Sequence, residues 1–328
     1  MTDPTRWGIL STALINAKVL KGAALSADVS VVAVGSRAGD RSREFASHWG
    51  IARAYGSYDE ILADPDVEAV YIPLPNSMHH TWTMRSLEAG KHVLCEKPYS
   101  RHPAEVTAAF DEAARRGLVL SEAFMFRYHP QTQALVQLVT SGQLGQLGLI
   151  SGAFSGPTKD PGNVRLDPLL DGGSLMDVGV YPLSAARLLA GEPNVVTAQQ
   201  IKGVTGVDVG FTATLRFDDD VLGHFDSGFH LPDRSRLEVV GSLGRVEVSD
   251  PWHCAEPALT VTMHGAEPLR IPVEHANSYQ LELEEFGRAV RGEPNQLLGR
   301  ADAEGQATAI HALYLAADSD RTVTIGNQ

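Results

Sequence analysis

Only two cysteines occur in the 328 residues, Cys95 and Cys254, far apart and outside any CxxC pair. That scarcity disfavours a disulfide framework or structural zinc site and fits a reducing compartment. Positive charge is also in deficit: 27 Lys and Arg against 40 Asp and Glu give a formal net charge of −13. A nucleic-acid binder needs a basic face to neutralise phosphates, so no nucleic-acid partner is expected. A small phosphorylated ligand on a local basic cluster stays compatible with this balance. No stretch approaches about 18 apolar residues, which excludes a membrane-spanning helix. The opening Met1-Thr2-Asp3-Pro4-Thr5-Arg6 leads into a short apolar strand rather than a signal-peptide core. No His, Cys and Asp set has metal-ligand spacing, so metal-independent chemistry is expected. There is no internal repeat and no low-complexity segment. These absences together predict a soluble, cytoplasmic protein.

What is present is enough apolar material, 43% of residues, to fill more than one core. The length predicts two domains. From Trp7 to about Phe126, strand-like runs (Trp7–Leu10, Val29–Val34, Ala69–Leu74, His92–Cys95, Leu118–Glu122) alternate with amphipathic stretches (Ile15–Ala24, Asp40–His48, His79–Ala89, Ala104–Arg116). Such alternation predicts βαβ units on a doubly wound parallel sheet, an α/β domain over residues 1–125. Beyond it, strands with hairpin spacing gather between Val195 and Val248, with helices near Gln131–Thr140, Tyr279–Arg291 and Ala301–Ala317. Residues 126–328 are therefore expected to form an α+β domain with a large, mainly antiparallel sheet. Asp218-Asp219-Asp220 is read as a tight turn rather than a metal site.

The first strand runs into Ser11-Thr12-Ala13-Leu14-Ile15-Asn16, where a dinucleotide fold carries G-x-G-x-x-G. All three glycine positions are substituted. The physical demand is weaker than the pattern: small residues must admit a pyrophosphate, and a helix start must face it. Ser11, Thr12 and Ala13 meet it; a plain strand-to-helix turn is the alternative. The second strand ends in Val34-Gly35-Ser36-Arg37, with Arg41 and Arg43 close behind, where a ribose-binding Asp or Glu would mark NAD. A hydroxyl and guanidinium groups suit a 2′-phosphate instead, which predicts NADP(H) over NAD(H).

Cys95-Glu96-Lys97-Pro98 carries a lysine to the carboxyl end of a buried strand, where open α/β sheets bind ligands. Proline directly after it ends the strand and fixes the backbone that aims the ammonium group. Further on, Asp177 and Tyr181 are four residues apart and share a face if their segment is helical, although Pro182 wants that helix to begin nearby. Oxidising a secondary alcohol requires removal of the hydroxyl proton by a base within hydrogen-bond reach. A tyrosine titrating near 10 needs a neighbouring cation to serve near neutrality, which makes Tyr181 with Lys97 as electrostatic partner coherent. Lys97 itself is the other candidate for proton transfer. Asp177 either orients Lys97 or caps a helix, and Arg165 either binds substrate hydroxyls or forms a salt bridge. His129 is read as structural and Tyr279 as site or core.

Four ordered segments carry a resemblance. Ile72-Pro73-Leu74-Pro75-Asn76-Ser77-Met78-His79-His80, Glu88-Ala89-Gly90-Lys91-His92-Val93-Leu94-Cys95-Glu96-Lys97-Pro98, Glu122-Ala123-Phe124-Met125-Phe126-Arg127-Tyr128-His129-Pro130 and Gly172-Gly173-Ser174-Leu175-Met176-Asp177-Val178-Gly179-Val180-Tyr181 span nearly the whole chain. The sequence resembles the glucose–fructose oxidoreductase/inositol dehydrogenase (Gfo/Idh/MocA) family. It is most similar to the subgroup of NADP-dependent xylose and dihydrodiol dehydrogenases and sugar ketoreductases. The resemblance implies a Rossmann-type cofactor domain and a substrate-binding, self-associating second domain. It implies that Lys97 contacts the substrate hydroxyl and the nicotinamide ribose. Leu74, Pro75, Asn76 and His79 would line the cofactor with Glu96 and Pro98, beyond a first turn of Ser11, Thr12, Ala13, Leu14 and Ile15. The family's D-x-x-x-H motif keeps its Asp177 here, with Tyr181 in place of histidine. Arg165, Asp177, Tyr181 and Lys97 are the expected substrate contacts. The expected activity is hydride transfer between NADP(H) and a carbon of a sugar or related polyol, in a homodimer or homotetramer formed through the second domain's sheet. Two alternatives are glycoside cleavage without net redox change and a non-catalytic NADP-sensing regulator.

Overall fold

Short apolar strands ending at glycine or a small residue, each followed by an amphipathic stretch, set the architecture of the amino-terminal half. The computed structural model describes residues 3–158 and 160–326. It divides into two compact units, one of residues 1–125 with 277–304 and the other of 126–276 with 305–328.

In the first unit, strands β1 (Thr5–Leu10), β2 (Val29–Gly35), β3 (Arg53–Tyr55), β4 (Ala69–Ile72), β5 (His92–Glu96) and β6 (Leu120–Ala123) form a six-stranded sheet ordered β3-β2-β1-β4-β5-β6. Every pairing in it is parallel. Helices α1 (Asn16–Ala23), α2 (Gly39–Trp49), α3 (Tyr58–Ala63), α4 (His79–Glu88) and α5 (Pro103–Arg116) make the connections. Their ends follow local chemistry. Ser57 and Glu60 form a reciprocal capping box at the start of α3. Pro103 opens α5, and Gly117 closes it with a left-handed φ of 68°. The helix Ser278–Val290 belongs to this unit too. Its Phe286 lies 4.8 Å from Trp7 between ring centroids, in a core shared with Ile9, Val34, Tyr71 and Leu94. Gly22 of α1 permits that packing, because a Cβ there would stand 2.7 Å from the Gln280 backbone nitrogen.

The second unit is built on a nine-stranded sheet: β7 (Leu147–Ser155), β8 (Val195–Lys202), β9 (Asp208–Arg216), β10 (Leu222–Gly228), β11 (Arg234–Gly241), β12 (Gly244–Ser249), β13 (Ala258–Met263), β14 (Leu269–Pro272) and β15 (Val323–Thr324). Their order is β14-β13-β12-β11-β7-β10-β9-β8-β15. All neighbours are antiparallel except β7 and β10. Period-two burial along β9, with Thr212, Thr214 and Arg216 exposed between buried residues, marks a sheet covered on one side. Helices α6 (Pro130–Thr140) and α7 (Val180–Ala190) pack on it. Asp218–Asp220 is a tight turn, with Asp219 and Asp220 at positive φ. After β14 come α8 (Ser278–Val290), which belongs to the first unit, and α9 (Arg300–Ser319), before the closing strand β15. Among the described residues no helix is long and apolar enough to cross a membrane.

Candidate active site

The strand order of the first sheet reverses direction between β1 and β4, the switch point at which open α/β sheets bind ligands beyond the strand ends. Ser11, directly after β1, has φ of 155°, a setting that glycine adopts freely and other residues rarely. The serine thus keeps the backbone of the first fingerprint glycine without its side-chain economy. Its Oγ donates to the Pro73 carbonyl at 3.3 Å and accepts from the Ala13 N–H at 3.1 Å, pinning the turn to the end of β4. Asn16, at the last glycine position, is fully buried and its Nδ2 donates to the Ser11 carbonyl at 2.8 Å. Among the described residues no side chain caps α1, so its start is open to an anion. Thr12 and Ala13 are half-buried, Ile15 packs toward the core, and Leu14 is 96% exposed.

Beyond β2, Ser36 is buried and its Oγ accepts from the Ala38 N–H at 3.4 Å. Arg37 and Arg41 lie near the Tyr58 hydroxyl: burial raises the Tyr58 pKa, while the two guanidinium charges pull against that rise. Among the described residues neither Arg37 nor Arg41 pairs with a carboxylate, whereas Arg43 pairs with Asp40. One hydroxyl and two guanidinium groups, with no carboxylate in the ribose-binding place, fit a phosphorylated ribose and not a bare diol.

The loops after β4 and β5 are joined by His79. Its side chain is fully buried, with Nδ1 2.9 Å from the Pro98 carbonyl and Nε2 2.8 Å from the Leu74 carbonyl. Burial lowers its pKa, and the two carbonyls resist that shift. Each ring nitrogen faces a backbone carbonyl, one on Leu74 and one on Pro98, so the histidine sits between those two loops, the neutral ring donating to one carbonyl at a time. Pro75 and Asn76 lead into a 3₁₀ turn at Asn76–Met78. Lys97 follows the last residue of β5 and is half-buried. Glu96 beside it accepts from the Tyr71 hydroxyl at 2.5 Å and from the Lys97 N–H at 3.3 Å. Behind this pair lie Tyr279 and the wholly buried Glu282, whose carboxyl is pushed well above its usual range by burial and then by the charge of Glu96. Tyr279 is thus both core and neighbour of the Glu96 carboxylate.

In the second unit, Gly172 and Gly173 turn the chain from the Arg165 loop into a helix that begins as a π turn, Leu175–Gly179, and continues as α7. The wider turn carries Asp177, and Pro182 is the third residue of α7, directly after Tyr181. Arg165 Nε donates to Asp177 Oδ2 at 2.6 Å, so these two expected substrate contacts are partners. Asp177 does not cap the helix: the Leu175 N–H is taken by Asp208 Oδ2 at 2.8 Å. Tyr181 is buried among Phe154, Phe126 and Trp252, at ring-centroid distances of 5.3, 5.7 and 6.1 Å. Trp252 is itself held by its Nε1 donating to the Ala153 carbonyl at 3.0 Å. His129 caps α6, accepting from the Gln131 N–H at 3.0 Å, which is a structural task.

Four residues escaped the sequence reading: Tyr58 under Arg37, Glu282 behind Glu96, Trp252 beside Tyr181, and Asp208.

Residues 6–124 match the oxidoreductase family with an NAD-binding Rossmann fold, GFO/IDH/MocA, and residues 132–247 match the GFO/IDH/MocA C-terminal domain. The chain is 36% identical to the NADP(+)-dependent D-xylose 1-dehydrogenase 2 of Haloferax volcanii, over 97% of this chain and 99% of that one. The chain belongs to the GFO/IDH/MocA oxidoreductase family. Its fold superposes on a 3-ketoreductase from Actinomadura kijaniata, solved with NADP and TDP-benzene, with a TM-score of 0.89, 30% identity and coverage of 96% and 98%. An aldose-aldose oxidoreductase from Caulobacter crescentus, complexed with glycerol, matches with a TM-score of 0.90 at 26% identity, covering 98% of this chain and 99% of that one. As a GFO/IDH/MocA member, the protein is an oxidoreductase.

Proposed function

We propose that this GFO/IDH/MocA protein is an NADP(H)-dependent oxidoreductase acting on a hydroxyl or carbonyl carbon of a sugar or related polyol. The observation that carries the cofactor half is the Ser36, Arg37 and Arg41 cluster, in which two guanidinium groups stand without carboxylate partners among the described residues. In a chain of net charge −13 such a pair is well suited to a 2′-phosphate. The relatives named for xylose, keto-sugar and aldose chemistry support the substrate half.

When bound, the nicotinamide supplies the hydride donor or acceptor. Ser11, Thr12, Ala13, Leu14 and Ile15 receive the pyrophosphate, and Leu74, Pro75, Asn76, Glu96 and Pro98 wall the rest of the dinucleotide, with His79 fixing the two loops. Lys97 holds the ribose and the reacting hydroxyl. Tyr181 takes the hydroxyl proton during oxidation and returns it during reduction. Asp177 and Arg165 bind the remaining hydroxyls. Residues 1–125 thus serve the nucleotide and 126–328 the substrate, with 277–304 folded into the nucleotide unit. The exposed side of the nine-stranded sheet, including Thr212, Thr214, Arg216 and His224, is the surface for a homodimer or homotetramer. Buried free cysteines suit a cytoplasmic setting.

Fluorescence titration with NADPH and NADH, followed by a panel of aldoses, inositols and keto-sugars read by absorbance of the reduced cofactor, tests the reading. Tighter NADPH binding and turnover on at least one sugar are expected, with Tyr181→Phe losing about 10²-fold or more in kcat while still binding cofactor. Equal affinity for both cofactors, or near-normal turnover in Tyr181→Phe, overturns the corresponding half. Light scattering at micromolar concentration tests self-association; a monomer refutes it.

A further inference from the structure

We infer that Asp208 is a positioning residue for the reaction: from the first residue of β9 it pins the start of the helix that carries Asp177 and Tyr181. The inference rests on the roles proposed for those two side chains.

The geometry is a closed set of hydrogen bonds within the second unit. Asp208 is 2% exposed. Its Oδ2 accepts from Ser174 Oγ at 2.7 Å and from the Leu175 N–H at 2.8 Å, the two groups at the opening of the π turn. Its Oδ1 accepts from the Tyr314 hydroxyl at 2.9 Å, so the carboxylate is fixed from behind by α9. Ser174 Oγ is also 3.2 Å from Ser227 Oγ on β10. Two glycines let the carboxylate and the strand come this close. Gly173 has φ of 130°, and a Cβ on it would stand 2.2 Å from Asp208 Oδ1. A Cβ on Gly179 would stand 2.9 Å from Ser227 Oγ. The GG segment therefore serves a tight approach as well as a turn.

A buried carboxylate left in this place without partners would be costly, so its hydrogen bonds are a strong local constraint. A carboxylate at a helix start also satisfies N–H groups that have no partner within the helix. Two residues after Leu175 comes Asp177, and six after it comes Tyr181. Releasing the helix start would let both side chains drift, and a misplacement of about 1 Å in a reacting group costs about 10²-fold in rate. Asparagine can replace the carboxylate: its oxygen accepts from Ser174 and Leu175, and its amide donates to Tyr314, whose hydroxyl can accept. The constraint is thus one of hydrogen bonding and not of charge.

The test uses the full-length protein and the variants Asp208→Ala, Asp208→Asn, Tyr314→Phe and Asp208→Ala with Tyr181→Phe. Amide hydrogen exchange should quicken over residues 174–183 in Asp208→Ala while α6 keeps its protection, and the NADPH affinity should stay unchanged. With NADP+ and D-xylose as probes, below the melting temperature, kcat should fall about 10²-fold in Asp208→Ala. It should return to within about threefold in Asp208→Asn and fall only a few-fold in Tyr314→Phe, the fallback should Asp208→Ala not fold. In the Tyr181→Phe background the Asp208→Ala change should add little, because both act through one group. Unchanged exchange over 174–183, faster exchange with unchanged kcat, or full additivity with Tyr181→Phe each overturns the inference. Activity retained by Tyr181→Phe, or no turnover of D-xylose by the wild type, counts against the proposed function instead; the exchange measurement still decides whether Asp208 pins the helix.

Discussion

Arg165 and Asp177, twelve residues apart, are joined through Nε and Oδ2 at 2.6 Å, across the Gly172-Gly173 turn. Gly173 N–H donates to the Arg165 carbonyl at 2.9 Å, so the backbone closes the same loop. The arginine side chain is 47% exposed and the aspartate 21%, a pairing that solvent screens. Arg165→Ala should therefore shift stability by less than about 1 kcal/mol. Its expected effect is on substrate affinity, with KM raised about tenfold and kcat within a few-fold, since the guanidinium both orients Asp177 and faces solvent. Steady-state kinetics beside a thermal melt check this. A large loss of stability with normal KM would make the pair a structural clamp.

Arg37 lies near the Tyr58 hydroxyl, and Tyr58 rests edge-on against Trp82 at 4.9 Å between centroids. Removing the guanidinium by Arg37→Ala should weaken NADPH binding about 10- to 100-fold, the worth of a charge-assisted hydrogen bond or two, and leave NADH binding within a few-fold. Parallel titrations give the ratio directly. Discrimination equal to wild type would remove Arg37 from the cofactor site.

The Rossmann half is legible because its strands and helices differ in hydrophobic period and end at small residues. Arg53–Tyr55 and Tyr58–Ala63 escape that reading, both being too short to show a period. In the second half the hairpin strands are visible, while the parallel pairing of β7 with β10 is not, because it joins residues some seventy positions apart. The carboxyl-terminal helix Ser278–Val290 shows an apolar face in its sequence, but nothing local says that the face meets Trp7 and Tyr71. Lys97, Asp177 and Tyr181 stand in recognisable strings. Asp208, Tyr58 and Glu282 act through contacts made only in the fold, and single residues of common types leave no pattern to find.

Glu282 is buried beside Glu96, and its Oε1 has no hydrogen-bond partner among the described residues. Burial holds it protonated in the folded state well above its ordinary value of 4.5. The unfolded chain releases that proton at the ordinary value, so the folded state binds more protons above it. Stability from this group is therefore fully present below about pH 4.5 and is lost as pH rises toward the folded-state pKa. Glu282→Gln keeps the shape and stays neutral at every pH. The variant should melt higher than wild type at neutral pH, with the gap narrowing as pH falls toward 4.5. A gap that widens on acidification would reverse the sign and show an ionised Glu282.

Gly152, in the middle of β7, lies under Pro182, the residue after Tyr181. A Cβ on Gly152 would stand 2.6 Å from Pro182 Cβ, closer than real side chains come. Because Pro182 is locked into the first turn of α7, the helix and not a flexible side chain would have to give. Gly152→Val should destabilise the protein by about 1–3 kcal/mol through overpacking. It should also lower kcat, since the shifted turn carries Tyr181, while NADPH affinity stays near wild type. A thermal melt paired with kcat measured below the transition separates the two effects. Wild-type stability with wild-type turnover would mean that α7 can lift off β7 freely, and that the strand glycine does not set the position of the tyrosine.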